Sequence, residues 1–190
     1  MPSATADELA AAIVEVVRTG ARVLNLSAAI ALPSIQGERN LELALDYAAR
    51  QGVLVVAAAG NLATVGSSAI TRHPWTIPVV GCDGQGRPMP ESNLAGSIGR
   101  RGLKAPGEKI TSLGVGSALL TLSGTSAAAA FVTGALALLW SEFPNSSATE
   151  VKLAVTQPTA ETRKTLVPPL LDAWASYEVL ASARQGSKVA

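Results

Sequence analysis

Hydrophobic and polar positions fall along this chain in blocks that switch between a helical and an extended period. Leu9, Ile13, Val16 and Val17 recur at helical spacing, which predicts a helix from Ala6 to Thr19 with Gly20 as its stop. Arg22 to Ser27 reads as a strand and Ser34 to Glu38 as a polar loop. Leu41 to Arg50 is a helix with Leu41, Leu45 and Ala48 on one face. Val53 to Ala58 is an unbroken run of β-branched and aliphatic residues, the pattern of a strand buried on both faces, and Ile77 to Gly81 is another. Asp83 to Glu91 carries Gly84, Gly86, Pro88 and Pro90 and predicts a surface hairpin or loop. Leu103 to Ala105 and Ile110 to Leu113 are short strands around a Pro106-Gly107 turn, and Leu119 to Leu122 leads into a turn of small residues. Ser126 to Phe143 is an almost wholly apolar helix. Thr149 to Val155 is a further helix, with Ser147 or Thr149 as its cap, and a last one runs from Leu171 to about Ala183. This alternation predicts an α/β fold in three layers, a mainly parallel sheet with helices on both faces.

Two places in that pattern carry candidate chemistry. Ser123-Gly124-Thr125-Ser126 delivers a serine to the first turn of the apolar helix, where unpaired N–H groups and the positive helix pole suit negative charge. A nucleophilic serine whose reaction builds an oxyanion profits from that place; the alternative is that Thr125 or Ser126 only caps a buried helix. Gln51 to Asn61 reads as a turn, a buried strand and an abrupt Gly60-Asn61 stop. An amide at the carboxyl end of such a strand sits where open α/β sheets bind ligands, and it can donate to a developing oxyanion. Its alternative is a turn residue tolerant of left-handed dihedrals. If the two act together they must converge, because one carbonyl carbon and its oxyanion reach both at about 3 Å.

With these residues in view the chain resembles the subtilisin-like serine peptidases. Gly124-Thr125-Ser126, the small residues after it, Val132 and Gly134 match the serine block of that family, and Val55 to Asn61 match its oxyanion block. Val23 to Ser27 is similar to the strand bordering the substrate cleft, Pro78 to Gly81 to the strand after the oxyanion region, and Ala105-Pro106-Gly107 to the turn before the last core strand. The resemblance runs from about Asp7 to Leu180. The stretch from His73 through Glu142 also resembles subtilases found beside ribosomal-peptide maturation systems. It implies Ser126 as nucleophile, Asn61 as oxyanion donor, and Ser27, Ala28, Ala29, Ala58, Ala59 and Gly60 as substrate-binding positions.

The family's triad Asp, in an Asp-Thr/Ser-Gly setting, and its His, in a His-Gly-Thr setting, have no counterpart here. Asp7, Asp46, Asp83 and Asp172 lack that context, and the single histidine, His73, precedes Pro74, which holds it extended. The expectation is a subtilase domain lacking its first third, with Asp and His in a missing N-terminal segment or another chain, and therefore inert alone. Ala127, Ala130 and Phe131 replace a usual methionine, proline and histidine after the serine. After Ser27 the family's usual Leu-Gly-Gly becomes Ala28-Ala29-Ile30, and Ala29 adds a Cβ expected to narrow the primary specificity pocket.

Composition removes other classes. A formal charge of +1 implies neither nucleic acid nor an anionic membrane as partner. Arg100-Arg101 and Lys104 form a basic cluster predicted to be a solvated loop. The apolar run from Ala127 to Trp140 is too short for a membrane span. One cysteine, Cys82, excludes an internal disulfide and reads as an inert packed thiol. No export signal follows Met1, which with the single cysteine favours a cytoplasmic setting for the chain as given. A missing first third could carry an export signal, so the compartment of the whole protein stays open. No cofactor motif and no Cys/His metal spacing is present, and no calcium ligand can be assigned. Two functional readings remain: a serine endopeptidase acting on peptide or protein, and a non-catalytic peptide-binding or scaffold subunit. A gene fragment with no role of its own is the third.

Overall fold

The computed structural model describes residues 4–28, 35–156 and 165–186. In chain order they form α1 (Ala6–Arg18), β1 (Val23–Leu26), α2 (Ile35–Arg50), β2 (Leu54–Ala58), α3 (Ala69–Arg72), β3 (Thr76–Cys82), α4 (Gly96–Arg101), β4 (Leu103–Pro106), β5 (Ile110–Leu113), β6 (Leu119–Leu122), α5 (Thr125–Glu142), α6 (Ala148–Thr156) and α7 (Ala173–Gly186). Strands β1, β2, β3 and β4 pair in that order, all parallel, and β5 and β6 form a separate antiparallel hairpin.

Side-chain alternation along the strands divides the core in two. Leu54 and Val56 of β2, Ile77 and Val79 of β3, and Leu103 and Ala105 of β4 face α5, α6 and α7. Val55 and Ala57 face α1, α2 and α3, while Val80 meets Ile98 of α4. Every residue of β3 is buried, which is why that strand reads as continuously apolar. The sheet is thus covered by helices on both faces, as the sequence pattern predicts.

Several boundaries differ from the sequence reading for identifiable reasons. Residues 35–38, expected as loop, are the first turn of α2. The short helices α3 and α4 were not anticipated, although α3 carries a reciprocal Ser68/Thr71 cap. The last helix begins at Ala173 rather than Leu171, because residues 169–171 lie along β4. Lys104 N–H donates to Pro169 O at 2.6 Å and Leu171 N–H to Lys104 O at 2.8 Å, and Asp172 then caps α7 through Ala175 N–H. That segment covers the outer edge of β4, whereas the outer edge of β1 has no strand partner among the described residues. Ser147 caps α6, exchanging bonds with Glu150. The basic cluster is not a solvated loop. Arg101 ends α4 and donates to Arg72 O at 2.7 Å, and Lys104 lies in β4 with its ammonium on Gly86 O at 2.8 Å. Cys82 is the buried last residue of β3, and burial pushes its thiol pKa up. Among the described residues no helix is long and apolar enough to cross a membrane.

Candidate active site

The site is assembled where β2 ends and α5 begins. After Ala58 the chain leaves the sheet through Ala59, whose N–H donates to Val79 O at 2.9 Å, and turns at Gly60 with φ +105°. Only glycine adopts that conformation readily. Asn61 then projects beside the start of α5. Its Oδ1 accepts the Thr125 N–H at 2.9 Å, and Thr125 Oγ1 in return accepts the Gly60 N–H at 3.2 Å. Two loops 64 residues apart in sequence are therefore locked by a reciprocal pair of bonds.

Gly124 makes this approach possible. Its φ is +132°, and a Cβ there would lie 3.0 Å from Asn61 Nδ2, so the amide would have to shift by a few tenths of an ångström. Gly124 N–H is anchored on Gly107 O at 2.8 Å, tying the serine turn to the Pro106-Gly107 turn. Because Oδ1 is committed to Thr125, the Asn61 amide has a fixed sense, with Nδ2 on the side of Gly124. The serine follows directly. Ser126 is the second residue of α5 and exposed, and its N–H belongs to the first turn, where no carbonyl within the helix can accept it. Asn61 is thus bonded to Thr125, the residue immediately before Ser126.

The other predicted positions divide. Ser27 follows β1 and is exposed; Asn25 Nδ2 donates to its Oγ at 3.2 Å, and that Oγ approaches Ser126 O at 3.5 Å, so β1 borders the serine. Ala28 is exposed beside it, and Ala29 lies outside the described residues. Ala58 is half-buried at the strand end. Ala59 turns its side chain into the cluster of Val80, Ala95 and Ile98, leaving only backbone to offer a substrate. Phe131 is exposed on the outer face of α5, where Ala127, Ala130, Gly134 and Leu138 join Trp174 in lining a groove of about 1060 Å³.

No base stands beside the serine among the described residues. His73 ends α3, before the amino end of β3, while Asn61 and Ser126 lie at the carboxyl edge of the sheet. The seven residues of β3 span roughly 20 Å. His73 is buried; its Nε2 lies 3.2 Å from Asp46 Oδ1, and its Nδ1 accepts the Trp75 N–H at 3.3 Å, which makes Nε2 the protonated nitrogen. Asp83 accepts from Gln85 and Arg87 N–H groups, which hold its carboxyl below the usual range. Asp7 accepts from Asn40. Among the described residues no group of three His, Cys, Asp or Glu side chains is placed to hold a metal ion.

One neighbour escaped the sequence reading. Asn93 Oδ1 accepts the Leu62 and Thr64 N–H groups at 2.9 and 3.2 Å, beside Asn61. Its only sequence signal is an amide residue in a turn-rich stretch.

Comparison with known proteins shows the family and the fold. A family model described as the subtilase family, Peptidase S8, matches residues 1–173. A thermostable alkaline protease of Halalkalibacterium halodurans is 31% identical over 135 residues, which is 71% of this chain and 36% of that protein. Among solved structures, the prenylagaramide maturation protease PagA superposes with a TM-score of 0.81 at 27% identity, covering 95% of this chain and 69% of that one. The self-cleaved protease domain of PatA gives 0.81 at 27%, covering 94% and 69%. The chain therefore spans about a third of that curated relative and about two thirds of the solved domains.

Proposed function

We propose that this chain, which belongs to the subtilase family, supplies the nucleophile and the oxyanion hole of a serine endopeptidase. Ser126 Oγ attacks the carbonyl carbon of a peptide bond and its proton passes to a base. The carbonyl oxygen, now an anion, is held by Asn61 Nδ2 and the Ser126 N–H. The tetrahedral species collapses as the amine leaves with that proton, and water then releases the acyl group. The observation that carries this reading is the bond from Thr125 N–H to Asn61 Oδ1, which fixes the amide beside the serine. A donor held before reaction needs no reorganisation when charge develops.

The base and its carboxylate partner come from polypeptide outside these 190 residues, since the single histidine is committed to Asp46 at the opposite edge. Ser27, Ala28, Ala29, Ala58 and Gly60 border the peptide, and the chain acts as one domain. No cofactor enters this chemistry.

A second reading, a non-catalytic peptide-binding subunit, is favoured by one fact: the Ser126 hydroxyl has no base within reach among the described residues. Fluorophosphonate labelling separates the two. An unassisted hydroxyl is a poor nucleophile at neutral pH. The chain alone should stay unlabelled, label once a segment carrying the triad Asp and His is supplied, and lose the label in Ser126→Ala. A complemented protein that binds peptide yet never labels would leave the binding-subunit reading standing.

A further inference from the structure

The turn that carries Asn61 is an exposed loop with an awkward backbone: Leu62 is 76% exposed, and Ala63 sits at φ +52°, a left-handed conformation costly for a residue with a Cβ. Such a turn persists only if its surroundings over-determine it. Here the surroundings are one short segment. Asn93 N–H donates to Gly60 O at 2.9 Å, its Oδ1 takes both the Leu62 and Thr64 N–H groups, and Ala63 N–H reaches Glu91 O at 2.8 Å. The Asn93 side chain also fills the space a Cβ on Gly60 would need. A carboxamide oxygen has two lone pairs, which is what two converging N–H donors require.

We propose that Asn93 is the positioning residue of the oxyanion site. It clamps the Gly60–Thr64 turn and thereby sets the direction of the Asn61 amide. This rests on the reading of Asn61 as oxyanion donor. Asn93 touches no reacting atom; it acts through Asn61.

Amide hydrogen exchange on the whole chain tests this without catalysis, because the Thr125 N–H reports on Asn61 Oδ1. Asn61→Ala should speed exchange at Thr125 roughly tenfold, about the factor for one net hydrogen bond. Asn93→Ala should speed Leu62, Thr64 and also Thr125 by a similar factor, with Val79 and Val80 in β3 unchanged. Asn93→Asp, which keeps both acceptor bonds, should restore Thr125 protection. Asn61→Ala with Asn93→Ala should exchange at Thr125 no faster than Asn61→Ala alone.

Fast exchange at Leu62 and Thr64 with Thr125 unmoved would overturn the proposal, leaving Asn93 a purely local clamp. An unmoved Thr125 in Asn61→Ala would instead remove the premise about Asn61 and the proposal with it. If Asn93→Ala does not fold, the unmutated chain decides: Leu62, Thr64 and Thr125 should open with one free energy as denaturant is raised, and separate openings overturn the coupling. In a complemented, active protein Asn93→Ala should lower kcat about tenfold with KM unchanged, and Asn93→Asp should recover it; a change confined to KM counts against the proposal.

Discussion

Ser126 and His73 sit at opposite edges of one sheet, in surroundings that differ in kind. The carboxyl edge is made of glycines, alanines and amides: Gly60, Gly107 and Gly124 let backbones approach closely, and polarity comes from N–H groups and Asn61. The amino edge is made of large and charged side chains. Trp75 Nε1 donates to Val53 O at 2.7 Å, Lys152 lies 4.6 Å over the Trp75 ring with its ammonium on Pro74 O, and His73 is held by Asp46. The first edge is held by backbone groups and one carboxamide, the second by a buried imidazole, an indole and an ammonium. His73 precedes the amino end of β3, whereas Asn61 follows the carboxyl end of the parallel strand β2.

The sharpest way to break this contrast is at Asn61. In a complemented, active protein Asn61→Ala should lower kcat by roughly 10²–10³ with little change in KM, the factor known for loss of one oxyanion donor in subtilisin itself and carried over from that relative. Steady-state kinetics on a peptide substrate checks it, and a loss confined to KM would reassign Asn61 to binding.

His73→Ala probes the other edge. It should leave Ser126 labelling in the complemented protein unchanged, while lowering unfolding stability by about 1–2 kcal/mol in a denaturant titration, because the Trp75 N–H loses its acceptor and the bond to Asp46 is lost with the ring. Loss of labelling without loss of stability would place His73 in the chemistry after all.

Lys152 gives a pH signature to the amino edge alone. Burial, with Arg101 adding repulsion, lowers its pKa to about 8 from 10.5. Between those values the unfolded chain binds more protons than the folded one, so this residue's contribution to stability rises with pH across that window, by on the order of 1 kcal/mol. Comparing the parent with Lys152→Met at pH 7 and pH 10 isolates it; parallel curves would show that the ammonium is solvated.

The smallest effect belongs to the carboxyl edge. Ala63→Gly relieves the left-handed strain at φ +52° but loosens the unfolded chain, so a net gain of about 0.5 kcal/mol is expected, read as a small rise in Tm.

Much of the site was legible because its signals are local. A serine entering an apolar helix after Gly124, and an amide ending a buried strand after Gly60, are short-range patterns fixed by backbone sterics and helix-end hydrogen bonding. The α/β layering was legible for the same reason, since full burial of β2 and β3 leaves unbroken apolar runs. Residues 35–38 and α4 were misread or missed because their helices are stabilised by what they pack on, with little help from their own composition. Asn93 was missed because its meaning lies in a turn some thirty residues earlier in the chain, and the inward turn of the Ala59 side chain was not legible because nothing local says to which face a strand end turns.

By itself, then, the sequence determined the principal strands and long helices, the burial of β2 and β3 and the residue types at the two turns, all of which follow from the side chains of a few neighbours. Only the tertiary structure decided that the Thr125 N–H would meet Asn61, that Asn93 would take the Leu62 and Thr64 N–H groups beside it, and that His73 would lie before the amino end of β3, at the other edge of the sheet from Asn61. Those facts depend on parallel register and loop crossing, which bring together groups tens of residues apart and which no local pattern encodes.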